Sequence, residues 1–180
     1  MRDLSELEGC VLGFIWKHGP TTAYAVRKEM LDSPSSHWSG SAGAIYPLLE
    51  RLQKRRLVAA KAGSCGERSH TSYALTEAGS KALLAWLAPP LEYDIISIAP
   101  DPLRTRMYFL RALPASRRNT FLKKARAKLA QYLAEIDTAP AVDEFDEIAN
   151  RGAIRATEAR IAWLDDVQRA LARRTRKRRK

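Results

Sequence analysis

Apolar and polar residues follow a helical repeat over most of the first half of the chain. Apolar positions recur every three or four residues over 4–18, 23–31 and 41–55, which predicts three helices. Residues 57–62 and 71–75 instead favour two strands, joined by a mobile loop over residues 63–70. Thr76 can then cap a fourth helix that continues to about Leu87. The predicted order is three helices, a β-hairpin and a further helix.

Each predicted helix has a set of residues available for burial. In the second helix these are Val26, Met30 and either Tyr24 or Ala23. The third helix has Pro47 near its start, so we expect an irregular first turn. The apolar sets of the third and fourth helices are Ile45, Leu48, Leu49 and Leu52, and Ala78, Leu83, Leu84 and Leu87.

The second half of the chain also has helical periodicity. Prolines and acidic residues over 89–102 indicate a boundary, and the stripes that follow have spacings of three, four and seven residues. The predicted fold is therefore mainly α: a winged helix-turn-helix over residues 1–88, a linker over 89–100, and an all-helical dimerisation domain over 101–172. The expected dimer seam consists of Ile154, Ile161, Leu164 and Leu171.

The charge distribution favours a polyanionic partner. The formal net charge is +11, and seven of the last eight residues are Lys or Arg. The remaining positive charge is concentrated in the third helix and the hairpin. Residues 173–180 repel one another and are expected to be disordered. They either add DNA affinity without sequence choice or serve solubility alone.

A helix-turn-helix followed by a hairpin places one helix in the major groove of DNA and the hairpin on the flanking backbone. Small residues at the start of the third helix let it approach the duplex closely. Exposed lysines and arginines along it are alternatively only a solvated helix end, and Tyr46 alternatively packs on the second helix. The candidate DNA-binding residues are Tyr24, Ser41, Gly43, Tyr46, Pro47, Arg51, Lys54, and, in the hairpin loop, Arg68 and His70.

Other classes of function find little support in the sequence. The three histidines are isolated from cysteine and carboxylate, and no nucleophile motif or phosphate-binding glycine loop is present, so we expect no enzyme, metal or cofactor. No apolar run approaches the length of a membrane span, and no secretion segment is recognised. The expected location is the cytoplasm. A non-enzymatic interaction scaffold that holds nucleic acid nonspecifically is the alternative function.

Several motifs together resemble the PadR family of bacterial transcriptional regulators. They include Gly43 followed by Tyr46-Pro47, the segment Tyr73-Ala-Leu-Thr-Glu-Ala-Gly79, and, in the second half, the segment that begins at Asp101. The resemblance implies a homodimeric repressor on a pseudo-palindromic double-stranded operator, released in some relatives by a small aromatic compound. Trp163, Trp86 and Phe121 are candidate effector-binding residues. Alternatively, Trp163 only packs one helix on another.

Overall fold

The computed structural model describes residues 3–33, 42–65, 68–138 and 140–177. The chain divides into two compact units, Met1–Ser97 and Ile98–Lys180.

The first unit combines helices with a small antiparallel sheet. Its elements are α1 (Glu6–His18), β1 (Thr21–Thr22), α2 (Ala23–Asp32), a 3-10 turn (Ala42–Ala44), α3 (Ile45–Lys54), β2 (Val58–Cys65), β3 (Arg68–Leu75), α4 (Glu77–Leu87) and α5 (Tyr93–Ile96). The strand order is β1-β3-β2. This is the predicted winged helix-turn-helix, with one strand, β1, that the sequence did not indicate.

Local hydrogen bonds set where these helices begin. Ser5 and Glu8 form a reciprocal capping box on α1, in which Ser5 N donates to Glu8 Oε2 at 3.0 Å and Glu8 N donates to Ser5 Oγ at 3.3 Å. Thr22 caps α2 by accepting from Ala25 N at 3.2 Å, and Thr76 caps α4 by accepting from Gly79 N at 3.0 Å. The cap at Thr76 matches the prediction.

The hairpin is longer than predicted. Residues 63–65 and 68–70 pair in register, from Gly63 opposite His70 to Cys65 opposite Arg68. The expected loop over 63–70 is therefore wrong for those residues. Gly and Ser have low strand propensity. Once the hairpin has formed, however, extending it through these residues costs little free energy, because the neighbouring strand supplies hydrogen-bond partners.

The core of the first unit lies between α1, α2, α3 and the base of the hairpin. All four predicted core residues of α3 are buried, as are Val26 and Met30. Of the pair left open in α2, Ala23 is buried and Tyr24 is 65% exposed. In α4, Leu83 is buried as predicted, but Ala78, Leu84 and Leu87 are exposed, and Gly79 and Ala82 face the core instead.

The second unit is entirely helical in its described residues. It contains α6 (Pro102–Phe109), a 3-10 turn (Leu110–Ala112), α7 (Ala115–Asp137) and α8 (Glu144–Lys177). Its core cluster has Leu110, Leu122 and Leu164 at its centre. Asp101 caps α6 and also accepts from Arg160 Nη2 at 2.8 Å, while the Arg126 guanidinium joins α7 to Asp165 of α8 at 2.7 Å.

The basic C-terminal segment differs from the prediction. α8 continues to Lys177, so residues 173–177 are helical, while 178–180 lie outside the described residues. Extending an existing helix needs no new nucleation, and Lys and Arg are good helix formers. Cations at a helix C-terminus also interact favourably with the helix dipole. These terms offset the mutual repulsion that led to the prediction of disorder.

Candidate nucleic-acid interface

Helix α3 has one buried face and one exposed, mostly polar face. Ile45, Leu48, Leu49 and Leu52 are each at most 1% exposed. On the opposite face Tyr46 is 52% exposed, and Pro47, Arg51 and Lys54 are also open to solvent. The buried residues fix the rotation of the helix about its axis. The spacing of apolar residues in the sequence therefore determines which side chains point outward.

The start of α3 is open. A 3-10 turn over Ala42–Ala44 precedes it, in accord with the irregular first turn that was predicted. Pro47 is the third residue of α3, where an amide hydrogen has no carbonyl partner within the helix, so proline is tolerated. Within the described part of the chain no side chain caps this end, and a Cβ placed on Gly43 would meet no atom within 4 Å. The positive end of the helix dipole therefore has no capping side chain among the described residues, and Gly43 beside it is exposed.

The basic residues at the end of α3 divide into two kinds. Arg51 and Lys54 are exposed on the outward face. Arg55 instead turns back, and its Nη1 lies 3.1 Å from Oε1 of the nearly buried Glu8. The sequence had suggested a single basic run. Glu8 is the residue that sequence reasoning missed, and its S-x-x-E spacing after Ser5 was the available signal.

Arg56 adopts the backbone conformation that ends α3. Its φ is 59°, in the left-handed region that favours glycine. Arg56 N donates to Gln53 O at 2.8 Å and Leu57 N donates to Leu52 O at 3.0 Å, which together form a Schellman motif that ends α3. The chain therefore turns sharply from α3 into β2.

The hairpin places its candidates at different points along the ladder. His70 is exposed and lies against Gly63, where a Cβ would come within 2.9 Å of His70 Nε2. Arg68 begins β3 opposite Cys65, and its side chain falls outside what the structure describes. Ser41 also lies outside the described residues. Tyr24 projects from the first turn of α2.

The three candidate effector residues lie in different surroundings. Trp86 packs against Gly9 in the first unit and donates through Nε1 to Glu6 Oε1 at 3.2 Å. In the second unit Trp163 lines a cleft of about 290 Å³ with Asp101, Arg104, Ala159 and Arg160. Phe121 lines a separate groove of about 530 Å³ between α6 and α7. These residues do not form one aromatic pocket within either unit.

The four expected dimer residues also differ from one another. Leu164 is fully buried in the core cluster of its own chain, which leaves its side chain no surface for a partner. Leu171 packs against the same cluster, whereas Ile154 and Ile161 are half-buried.

The charge state of two groups is set by their surroundings. Burial, reinforced by the nearby Glu6 carboxylate, raises the pKa of the Cys10 thiol to about 11, so it stays protonated at neutral pH. The hydrogen bond from Arg126 lowers the pKa of Asp165.

Among the described residues no cluster of His, Cys, Asp and Glu could hold a metal ion. None of the described helices has both the length and the apolar character of a membrane span.

A short antiparallel sheet beside a helix with an open, basic outer face defines a winged-helix DNA-binding protein. Residues 11–85 match the model of the transcriptional regulator PadR-like family. This match covers 75 of the 180 residues and lies in the first unit. A comparison with curated protein sequences found no match.

Solved structures extend the similarity of fold to both units. Bacillus subtilis PadR in complex with operator DNA is 18% identical with a TM-score of 0.77, covering 92% of this chain and 97% of that one. The PadR-like regulator BC1756 from Bacillus cereus is 18% identical with a TM-score of 0.73, covering 94% and 98%. Bacillus subtilis PadR in complex with p-coumaric acid is 18% identical with a TM-score of 0.68, covering 89% and 92%.

Proposed function

We propose that the protein is a homodimeric repressor that binds a pseudo-palindromic operator through α3 and the hairpin, and that a small aromatic effector releases it. The observation that carries the proposal is the outward face of α3. Tyr46, Arg51 and Lys54 are exposed there beside an uncapped helix start. A protein-docking helix would expose apolar side chains instead, so this face favours DNA over the alternative of an interaction scaffold.

Each group on α3 has a chemical role at the DNA surface. The amides at the open start of the helix are suited to a phosphate oxygen. The hydroxyl of Tyr46 can donate to a phosphate or a base edge, and the ring of Pro47 can touch a thymine methyl. Arg51 and Lys54 neutralise phosphates. His70 and Arg68 in the hairpin and Tyr24 on α2 would reach the flanking backbone, or the minor groove in the case of Arg68.

Arg51 and Arg55 provide the sharpest test, since they lie four residues apart on the same helix. Replacing Arg51 by alanine should weaken DNA binding and reduce the salt dependence by about one phosphate contact per subunit, with little change in folding. Arg55→Ala should instead lower the free energy of unfolding by about 1–2 kcal/mol, because the nearly buried Glu8 loses its ion pair with Arg55. Fluorescence anisotropy measures the DNA affinity of the Arg51 variant, with DNA fragments that the protein selects from a random pool. Urea denaturation measures the stability of the Arg55 variant.

Tyr46 tests whether the exposed ring contributes to recognition. Tyr46→Ala should weaken binding to selected DNA by about 1–3 kcal/mol. Tyr108→Ala is the matched control, since Tyr108 is also an exposed tyrosine but lies in the second unit. Unchanged affinity in a folded Tyr46 variant would remove this residue from the interface.

The effector proposal rests on the Trp163 cleft. It combines an indole ring with the guanidinium groups of Arg104 and Arg160, which suits an aromatic acid. Bacillus subtilis PadR has been solved with such a compound, p-coumaric acid.

The corresponding experiment is a titration of the protein–DNA complex with p-coumaric acid and related phenolic acids. We expect release of the DNA, and loss of that response in Trp163→Ala. Trp16→Ala is the control, because Trp16 is exposed and lies in the first unit. Release that persists in Trp163→Ala would place the effector elsewhere. A regulator of chromosomal genes acts beside the DNA, so we propose a cytoplasmic location.

A further inference from the structure

A groove on the second unit is apolar at its base and strongly cationic at its edges. Leu103 of α6 and Phe121 and Ala125 of α7 form the apolar base. Arginines and lysines surround it, and none of them forms an ion pair within the part of the chain that the structure describes. These cations are Arg106, Arg117, Lys124 and Lys128.

The start of α8 has the opposite character. Val142, Phe145 and Ile148 are 77%, 71% and 61% exposed, so their apolar side chains are uncovered in the protomer. Glu144 and Glu147 are exposed in the same segment. We call residues 142–148 the acidic segment. Its apolar and acidic side chains complement the apolar base and the cations of the groove.

The acidic segment cannot reach the groove of its own chain. Asp165 of α8 is held 2.7 Å from Arg126, which lies between Lys124 and Lys128 at the groove. Phe145 precedes Asp165 by 20 residues on one continuous helix, a distance of about 30 Å at 1.5 Å per residue. The acidic segment that fills the groove must therefore come from another molecule.

The length of α8 explains why the segment is uncovered. α7 ends at Asp137, 11 residues beyond Arg126, so α7 covers α8 for only about 17 Å in that direction. The six connecting residues, 138–143, span at most about 21 Å, which is too short to run back along α7, so the two packed helices are antiparallel. The first turns of α8 therefore extend roughly 15 Å past the end of α7. An exposed helix end with apolar and acidic side chains is then available to a second protomer.

We infer that, in the proposed homodimer, the acidic segment of each protomer docks into the cationic groove of the other. The contact is reciprocal, as two-fold symmetry requires, so each dimer contains it twice. Apolar contacts of Phe145 and Ile148 would supply affinity, and pairing of Glu144 and Glu147 with the groove cations would fix the partner and its orientation. The inference rests on the proposed dimer and specifies which surfaces form it.

A charge-swap experiment on the full chain tests the contact. In one variant Lys124→Glu and Lys128→Glu place two carboxylates in the groove, and in the other Glu144→Lys and Glu147→Lys place two ammonium groups on the segment. Each variant alone sets like charges against each other in its homodimer, so its dissociation constant should rise roughly tenfold or more. In an equimolar mixture both contacts become attractive again. Sedimentation velocity with one fluorescently labelled variant should then show heterodimers in excess of either homodimer.

Control variants separate this contact from general charge effects. Lys123→Glu with Arg173→Glu changes the charge by the same amount at exposed sites outside the groove lining and should leave the dissociation constant nearly unchanged. Phe145→Ala removes apolar surface without altering charge and should raise the dissociation constant several-fold. Circular dichroism verifies that each variant is folded.

The outcomes distinguish this contact from the dimer itself. The inference would be overturned if both charge variants dimerised as tightly as the control and the mixture showed no preference for heterodimers. The proposed dimer would then still stand. A wild-type chain that stays monomeric at all concentrations would overturn the proposed dimer and the contact together.

Discussion

The two units bury their apolar residues to very different extents. Among the described residues, fourteen buried hydrophobic residues form one cluster in the first unit, whereas three form the main cluster of the second. The second unit meanwhile leaves Tyr108, Phe109, Phe145 and Ile148 more than half exposed. The first unit also leaves large apolar side chains exposed, among them Trp16 and Leu84, so the contrast lies in the buried cluster, which is far larger in the first unit. Truncation of a core residue should therefore be most costly in the first unit.

The largest expected effect is a cavity in the core of the first unit. Leu49 of α3 is fully buried, so Leu49→Ala should lower the free energy of unfolding by about 2–5 kcal/mol. Leu84→Ala is the control, because Leu84 is 67% exposed, and it should change the stability by at most about 0.5 kcal/mol. Urea denaturation followed by circular dichroism measures both. Equal losses would contradict the assignment of the core.

A pair of glycines sharpens the contrast between the units. In the first unit, a Cβ at Gly79 would overlap the carbonyl oxygen of Leu57, so Gly79→Ala should cost about 1–3 kcal/mol. In the second, Gly152 lies within α8, where a Cβ would meet no atom within 4 Å. Gly152→Ala should therefore stabilise the protein by roughly 0.5–1 kcal/mol. Thermal denaturation should give shifts of opposite sign; shifts of the same sign would be inconsistent with the packing.

The left-handed residue at the end of α3 should give a gain of similar size to that of Gly152→Ala. Arg56→Gly relieves the positive φ and should raise the free energy of unfolding by roughly 0.5–1 kcal/mol. Arg56→Lys keeps both the charge and the strain and serves as the control. A destabilised glycine variant would mean that the arginine side chain contributes more than its backbone conformation costs.

The smallest expected effect concerns the ion pair of the second unit. The pKa of Asp165 is lowered by Arg126 in the folded state, so the pair stabilises the protein above the unfolded pKa of the carboxyl group. That contribution is lost as the pH falls through the folded pKa. Wild type and Asp165→Asn should therefore differ in denaturation midpoint at neutral pH and converge in acid. A difference that persists in acid would assign the effect to packing, and Arg126→Gln should show the same pH dependence.

The sequence predicted the first unit well wherever a residue's role depends on local periodicity. The core residues of α3 and the cap at Thr76 follow from spacing and side-chain chemistry alone. The sequence did not indicate β1, because two threonines have no strand signal until Tyr73 and Ser72 lie beside them. Tyr24 and Ala23 could not be distinguished, since both lie on adjacent positions of one helix.

Prediction was weaker where a residue's role depends on its distant partners. Arg55 could not be separated from Arg51 by sequence, because its partner Glu8 is 47 positions away. Leu164 has the spacing of a dimer seam, yet α7 and the 3-10 turn cover it within the protomer. Residues 173–177 were expected to be disordered from their charge, but the preceding turns of α8 extend through them. The assignments of the DNA, effector and dimer residues stay predictions.

Thr76 has a further consequence for how the protein meets DNA. Its hydroxyl lies 2.7 Å from the carbonyl oxygen of Arg56, and its amide donates to Leu57 O at 3.1 Å. The same residue begins α4 and ends the hairpin, so the last turn of α3 and the base of the hairpin are fastened at one point. The distance between the end of the helix and the base of the hairpin is therefore fixed. A duplex that touches both must match their spacing, so groove width and local bending of the DNA become part of what this protein can select.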